Sequence, residues 1–132
     1  MITSAYGQVG FCLTQQAQEN GWDVLAIDRD KLDITDPQAV NALVSEYQPD
    51  VIINAAAHTA VDKAETEVDA SYAINRDGPK YLAEAAASVN AAILHISTDY
   101  VFAGDKDGIY SEADPVAPQA VYGASKLAGE QA

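Results

Sequence analysis

Cysteine, basic residues and long apolar runs are all scarce in this sequence. Cys12 is the single cysteine among 132 residues, so an internal disulfide framework is excluded. Seven lysines and arginines face 20 aspartates and glutamates, and the formal charge of −13 would repel nucleic acids and anionic membrane surfaces. No apolar run approaches the ~20 residues needed to cross a bilayer, and no signal-type segment follows Met1. We therefore predict a cytoplasmic protein with no nucleic acid partner and no membrane partner.

What the sequence does contain is an alternation of short apolar runs and longer helical stretches, which predicts an α/β protein with parallel strands joined by helices. The length and the 48% share of hydrophobic residues fit one domain over residues 1–132. The predicted strands are Asp23–Asp28, Asp50–Asn54 and Ala92–Ser97. The predicted helices are Gln8–Asn20, Pro37–Tyr47, Glu67–Asn90 with a kink or break at Gly78-Pro79, and one that begins after Pro118.

Both ends of this pattern are incomplete. Only Met1-Ile-Thr precede the first turn, so a strand there would be shorter than the usual five or six residues. The last helix reaches Ala132 with no strand after it. We expect a truncated parallel sheet, with the first strand clipped and further C-terminal strands absent.

A turn with two glycines, Ser4-Ala-Tyr-Gly7-Gln-Val-Gly10, precedes the first predicted helix. Glycines at such a turn let the backbone approach a pyrophosphate, although an ordinary helix-entry turn can show the same spacing. Asp28 closes the next strand 18 residues after Gly10, close to the ~20-residue spacing of dinucleotide-binding proteins. This acid can bind ribose hydroxyls and favours NAD slightly, whereas Arg29 would accommodate the 2′-phosphate of NADP.

Tyr122 and Lys126 stand four residues apart in the last predicted helix, a spacing that places both side chains on one face. A cation beside a phenol favours the phenolate and makes the group a usable proton donor and acceptor. The hydroxyls of Ser97 and Thr98 leave the carboxyl end of the third strand, where open α/β sheets bind their ligands. Chance pairs of this kind are common, and Ser97 and Thr98 could instead bond only local backbone groups.

Other polar residues have ordinary structural explanations. With no partner identifiable in the sequence, His58 is predicted to have a rim or packing role, and His95 to be a buried structural residue. The acids Asp62, Glu65, Glu67 and Asp69 are predicted to form a solvated helix face. No His, Cys or carboxylate cluster has metal-ligand spacing, so no metal is predicted.

The ordered set of motifs closely resembles the dTDP-4-dehydrorhamnose reductases, a family of extended short-chain dehydrogenases and reductases. The resemblance spans nearly the whole chain, and the combination is far more specific than any single motif. The motifs that begin at Asn54 and at Ser97 separate this family from related sugar-nucleotide epimerases and dehydratases. The motifs are Gly7-Gln-Val-Gly10, LDITD from Leu32, NAAAHTAVDKAE from Asn54, STDYVF from Ser97 and VYGASKLAGE from Val121.

The resemblance implies a Rossmann-like, doubly wound parallel sheet and a reductase. Members reduce the C4 ketone of dTDP-6-deoxy-L-lyxo-4-hexulose, or dTDP-4-dehydrorhamnose, to dTDP-L-rhamnose with NADH or NADPH, in dTDP-rhamnose and lipopolysaccharide biosynthesis. Carried onto this sequence, Tyr122 would protonate the forming alkoxide. Lys126 would tune that tyrosine and hold the nicotinamide ribose, and Thr98 would bond the reacting oxygen.

The resemblance also implies the cofactor contacts. The turn backbone would hold the pyrophosphate, an acid and an arginine the adenosine ribose, and three alanines would line the cofactor path near His58. Asn75 matches an asparagine on the helix packed behind the active site. The implied cofactor-binding residues are Gly7, Gln8, Val9, Gly10, Asp28, Arg29, Asp33, Ile34, Ala55, Ala56, Ala57, Thr59, Tyr122 and Lys126.

The sequence departs from this family in three ways. Ser4 replaces the first glycine, the leading strand is nearly absent, and the C-terminal substrate domain of the family is missing. The 132 residues alone are therefore expected to be inactive, and a catalytically silent NAD(P)-binding subunit, resembling the regulatory subunit of methionine adenosyltransferase, remains an alternative. Some members dimerise through a metal held by carboxylates. Cys12 stands where one carboxylate is expected, which leaves a homodimer possible but without a metal.

Overall fold

The computed structural model describes all 132 residues and contains a three-stranded parallel sheet. The strands are β1 Ile2–Thr3, β2 Val51–Asn54 and β3 Ala92–His95, in the order β1-β2-β3. Ile2 stands opposite Ile53, and Val51 opposite Ala92. The predicted open parallel α/β sheet is therefore confirmed, and its first strand has only two residues.

The predicted strand Asp23–Asp28 is wrong as a full strand. Its residues form a single parallel bridge, from Ala26 to Ile2, although the Ile2 amide donates to the Leu25 carbonyl and the Ile27 amide to the Ile2 carbonyl. The segment is short of partners because β1, the strand beside it, has only two residues.

The helices follow the predicted positions closely. The N-cap of α2 matches the sequence argument, because the Asp36 carboxylate accepts from the amides of Gln38 and Ala39 before Pro37. The helices are α1 Gln8–Glu19, α2 Pro37–Tyr47, α3 Val61–Ala64, α4 Val68–Tyr72, α5 Gly78–Ser88 and α6 Val121–Gln131. None is long and apolar enough to span a bilayer.

The Gly78-Pro79 pair does not break the helix that contains it. The turn Ala73–Asp77 between α4 and α5 is π-helical, and the backbone stays right-handed helical at both junctions. A wider turn just before a proline fits the missing amide and the bulk of the proline ring. The predicted kink or break thus takes the form of a local widening that contains Asn75 and ends where α5 begins at Gly78.

The core lies between the sheet and the helices α2 and α5. Ile52, Val40, Val44 and Leu82 have no exposed surface there, and each buried side chain of this size contributes roughly 1.5–3 kcal/mol. On the opposite face of β2, Val51 and Ile53 help to line a cavity of about 490 Å³ beside α1. The helices thus lie on both sides of the sheet, as the predicted doubly wound class requires.

Candidate active site

A polar ladder crosses the carboxyl edge of the sheet. The Thr3 hydroxyl donates to Asn54 Oδ1 at 2.6 Å, and Asn54 Nδ2 lies 3.1 Å from His95 Nδ1. Since Asn54 Oδ1 also accepts from the Ala56 amide, its Nδ2 is the donor to His95. The chain segments that carry the predicted site residues leave from this edge.

His95 is uncharged at neutral pH. Burial and, to a smaller extent, the charge of Lys126 lower the pKa of His95 to about 4. Because Nδ1 accepts from Asn54, the proton sits on Nε2, which is buried and has no hydrogen-bond partner. The prediction of a structural histidine is consistent with this half-buried position at the end of β3.

The turn between β1 and α1 closes on the Ser4 carbonyl. The Gly7 amide donates to this carbonyl at 3.0 Å, and Ser4 itself is left-handed with φ +49°. A Cβ on Gly10 would lie 2.1 Å from the same oxygen, so only glycine lets α1 approach the turn this closely. No side chain caps the N-terminus of α1, which begins at Gln8 directly after the turn.

Asp28 connects this turn to the end of the second extended segment. One carboxylate oxygen accepts from the Tyr6 amide at 3.1 Å, and the other accepts from the Arg29 amide at 2.7 Å. Nearby, hydrogen bonds from Thr35 hold the pKa of Asp33 below its usual value. These contacts hold the carboxylates of Asp28 and Asp33 on the same side of the sheet edge as the exposed Arg29.

A cavity of about 380 Å³ opens between the turn, the Asp28 segment and the loop after β2. Six of the predicted cofactor-binding residues line it: Asp28, Arg29, Asp33, Ile34, Ala56 and Ala57. Ser4 and His58 line it as well. Ile34 is mostly buried, and its Cδ1 would lie 2.6 Å from a Cβ on Gly78, so its side chain also belongs to the core.

The remaining predicted cofactor-binding residues lie outside this cavity. Thr59 is exposed, as are two residues of the first turn of α1. Eight of the predicted cofactor-binding residues are not in the cavity walls. They are Gly7, Gln8, Val9, Gly10, Ala55, Thr59, Tyr122 and Lys126.

The predicted catalytic pair lies on α6. Lys126 is 1% exposed and its Nζ donates to the Ile96 carbonyl, while burial lowers the pKa of this lysine. Tyr122 is half-buried and packs edge to face on Tyr100, with ring centroids 5.5 Å apart. Lys126 therefore bonds to the chain that leaves β3, directly before the Ser97-Thr98 motif.

The motif after β3 packs against α6. Thr98 is the N-cap of a 3-10 turn, Asp99–Val101, and its hydroxyl accepts from the Tyr100 amide at 3.2 Å. A Cβ on Gly123 would lie 2.2 Å from the Tyr100 carbonyl oxygen. The glycine between the predicted tyrosine and lysine is thus what allows helix and turn to touch.

Two residues, His58 and Asn75, make more hydrogen bonds than their sequence context predicts. His58, for which no partner was identifiable, has Nε2 3.0 Å from Glu67 Oε2 and Nδ1 3.2 Å from Ser71 Oγ. Asn75 accepts from the His58 amide at 2.8 Å and donates to the His58 carbonyl and to Ser125 Oγ. Asn75 therefore ties the loop after β2 to α6, which supports the predicted place behind the site.

The predicted face of acids is exposed to solvent, as expected, but two of its members also make contacts that the sequence did not indicate. Glu67 pairs with His58, and Glu65 Oε1 accepts from the Val121 amide at 2.8 Å, the first amide of α6. Neither partner is close in sequence, so spacing alone offered no signal for these contacts. No three His, Cys, Asp or Glu side chains lie close enough together to hold a metal ion.

Known proteins share this arrangement along the whole chain. The family model described as RmlD substrate binding domain matches residues 1–132. A dTDP-4-dehydrorhamnose reductase of Aggregatibacter actinomycetemcomitans is 51% identical over 132 residues, which cover 99% of this chain and 45% of the relative.

Two solved structures are similarly close. The dTDP-4-dehydrorhamnose reductase of Clostridium acetobutylicum is 49% identical with a TM-score of 0.97, covering 98% of this chain and 46% of that one. The enzyme of Bacillus anthracis, in complex with NADP, is 45% identical with a TM-score of 0.95 and the same coverage. The chain therefore belongs to the RmlD substrate-binding-domain family and spans a little under half the length of the dTDP-4-dehydrorhamnose reductases it matches.

Proposed function

We propose that this chain is the cofactor-binding and catalytic portion of a dTDP-4-dehydrorhamnose reductase, which reduces the C4 ketone of the sugar nucleotide with NADPH or NADH. One observation carries the proposal: α6, with Tyr122 and the buried Lys126, packs on the turn that begins at Thr98. The names of the similar proteins support the substrate, and the NADP in the Bacillus anthracis structure supports the cofactor.

The residues at the sheet edge fit a dinucleotide. Gly10 lets α1 begin close against the turn, and the first turn of α1 has no side-chain cap, so its amides are free for a pyrophosphate. The 380 Å³ cavity, with Asp28 and Arg29 in its wall, would receive the adenosine end. Ala56 and Ala57 line the same cavity and leave room for a flat group beside the backbone.

When bound, the reduced nicotinamide supplies the hydride that adds to the C4 carbon of the sugar. The Tyr122 phenol donates its proton to the carbonyl oxygen as that oxygen gains negative charge, so an alcohol and a phenolate result. The cationic side chain of Lys126 stabilises the phenolate, and Thr98 donates a hydrogen bond to the reacting oxygen. Solvent then returns a proton to the phenolate.

Substitution of Tyr122 tests this assignment. In the longer protein that carries the substrate domain, Tyr122→Phe should lower kcat for NADPH oxidation with the 4-keto sugar nucleotide at least about 100-fold, because the proton donor is gone. Tyr100→Phe is the matched control, since it keeps the ring that packs on Tyr122 and should retain most of the rate. Unchanged turnover in Tyr122→Phe would contradict the assignment.

The share of the relatives that this chain covers supports a further proposal about the 132 residues alone. Because they span only 45% of the length of a reductase that they resemble, we expect them to bind NADPH without oxidising it when substrate is added. The silent regulatory subunit predicts the same behaviour for the longer protein, whereas the reductase predicts turnover there. Steady NADPH oxidation by the isolated chain would contradict the division into two portions.

We also propose a cytoplasmic location, a role in lipopolysaccharide synthesis and a possible homodimer. The exposed free Cys12 supports a reducing compartment, and the activity named for the relatives supports the pathway. Light scattering on the longer protein measures its oligomeric state directly, and a monomer at micromolar concentration would exclude the homodimer.

A further inference from the structure

Ser4 holds a backbone conformation that its side chain disfavours. Its φ of +49° lies in the left-handed region, which costs conformational free energy for any residue with a Cβ. Two other non-glycine residues, Gln48 and Asn90, share this conformation. Ser4 differs from them because it lies in the wall of the 380 Å³ cavity.

The backbone of Ser4 cannot relax without loss of the turn. Its carbonyl accepts from the Gly7 amide at 3.0 Å, and the same oxygen lies against Gly10 in the first turn of α1. A rotation out of the left-handed region would move this carbonyl away from Gly7 or into the helix. The turn therefore requires the conformation, whichever residue occupies position 4.

The Ser4 hydroxyl has no hydrogen-bond partner inside the protein. It makes no hydrogen bond to any protein group, while the residue is half-buried and the oxygen lies 3.0 Å from where a Cβ on Gly7 would stand. The Gln48 side chain, by contrast, bonds to the Ser45 carbonyl. The free donor of Ser4 therefore sits beside the glycine turn, on the wall of the cavity that also contains Asp28.

We propose that the Ser4 hydroxyl is a ligand for the dinucleotide and donates a hydrogen bond to a phosphate or ribose oxygen in this cavity. This inference rests on the cofactor site proposed above. A hydroxyl offers one donor and two acceptor lone pairs, so it can serve either kind of oxygen. The contact offsets, in the bound state, the cost of a serine in a left-handed turn.

Two substitutions separate the hydroxyl from the backbone. Ser4→Ala removes the hydroxyl and keeps the Cβ, whereas Ser4→Gly removes both and relieves the left-handed conformation. Gln48→Gly is the matched control, because it relieves a left-handed residue that does not line this cavity. NADPH affinity is measured by fluorescence titration of the 132-residue chain, and the unfolding midpoint of the ligand-free chain by circular dichroism.

We expect the Ser4 variants to lose affinity for NADPH without a loss in the stability of the folded chain. Both Ser4 variants should bind NADPH roughly tenfold more weakly, as for the loss of a hydrogen bond to a charged group. Ser4→Gly should at the same time melt about 2 °C higher than the parent. Gln48→Gly should leave NADPH affinity unchanged.

Two results would overturn the inference, and they differ in what else they overturn. If Ser4→Gly binds NADPH as tightly as the parent or more tightly, the hydroxyl is no ligand, although the cofactor site stands. If the unsubstituted chain binds no NADPH while circular dichroism shows it folded, the proposed cofactor site fails and the role of Ser4 fails with it.

Discussion

At the scale of single residues, Gly123 is the point at which the helix with Tyr122 and Lys126 meets the turn that begins at Thr98. The two motifs are joined because a hydrogen atom, and no side chain, faces the Tyr100 carbonyl. In the sequence, this glycine sits between the two candidate catalytic residues and shows no property of its own. Its importance follows only from a contact between segments that are more than 20 positions apart.

Gly123→Ala should therefore destabilise the protein, even though alanine is the better helix former by about 1 kcal/mol. A Cβ at 2.2 Å from the carbonyl oxygen forces α6 away from the turn, and overpacking of this kind costs roughly 1–3 kcal/mol. Urea unfolding measures the difference. A more stable variant would show that α6 does not press on this turn.

His95 gives the protein a pH dependence with a definite sign. Its pKa is about 4 in the folded chain and near 6.5 when unfolded, so between these values the unfolded chain binds a proton that the folded chain does not. The contribution of His95 to the free energy of unfolding should be complete above pH 6.5 and be lost as the pH drops towards 4. The lowered pKa values of Asp33 and Asp77 cause losses only at more acidic pH.

Urea unfolding at pH 7.0, 5.5 and 4.5 tests this dependence. His95→Gln retains an acceptor for Asn54 and has no titrating ring, so its stability should vary less over this range than that of the parent. Parallel pH profiles for the two proteins would contradict the assignment to His95.

At the scale of elements, α6 begins without a cap from its own sequence. Its N-cap residue is Ala120, which has no side-chain acceptor, and the Glu65 carboxylate accepts from the Val121 amide, 56 residues later in the chain. Glu65 follows α3, at the end of the segment that also carries the cavity residues Ala56 and Ala57. The chain that lines the cavity is thereby fastened to the start of α6.

Glu65→Ala should cost about 1 kcal/mol of stability and speed hydrogen exchange at the Val121 amide, because a helix cap is lost. Glu65→Gln keeps a side-chain oxygen in place and should retain most of both. Glu112→Ala, at an exposed glutamate without a hydrogen bond, is the control for loss of charge. Equal exchange rates at Val121 in the Ala and Gln variants would contradict the capping role.

The elements themselves were largely predictable because their signals are local. Asp36-Pro37 announces the start of α2, and the apolar runs around Ile52 and Ile93 mark β2 and β3. The segment Asp23–Asp28 was wrongly predicted to be a full strand, because its apolar composition cannot show that the neighbouring strand β1 has only two residues. The π-helical turn was missed because Gly78-Pro79 resembles a helix break.

The candidate site was predictable in its residue types and less so in its contacts. The motifs identified Asp28, Tyr122 and Lys126, but no sequence spacing relates Glu65 to Val121 or Asn75 to Ser125. These contacts join segments that are about 50 residues apart, and they exist only because parallel strands gather their carboxyl ends at one edge. Local sequence patterns do not show which distant segments will meet at this edge.

At the scale of the whole molecule, two cavities lie at opposite ends of the sheet. The cavity of about 380 Å³ opens at the carboxyl ends of the strands, beside the Ser4 turn and Asp28. The cavity of about 490 Å³ lies beside α1 and contains residues that precede or begin the extended segments, such as Asp23 and Asp50. Size alone would favour the cavity beside α1 as the cofactor site, whereas the glycine turn and the polar ladder favour the cavity at the carboxyl ends of the strands.

The most direct test is a titration of the isotope-labelled 132-residue chain with NADPH, followed through its backbone amide NMR signals. Our account predicts shifts concentrated in Ser4–Gly10, Asp28–Thr35 and Ala56–His58, with Trp22 and Val51 unchanged. A folded chain whose signals do not move, or move only around the cavity beside α1, would contradict the assignment of the cofactor site.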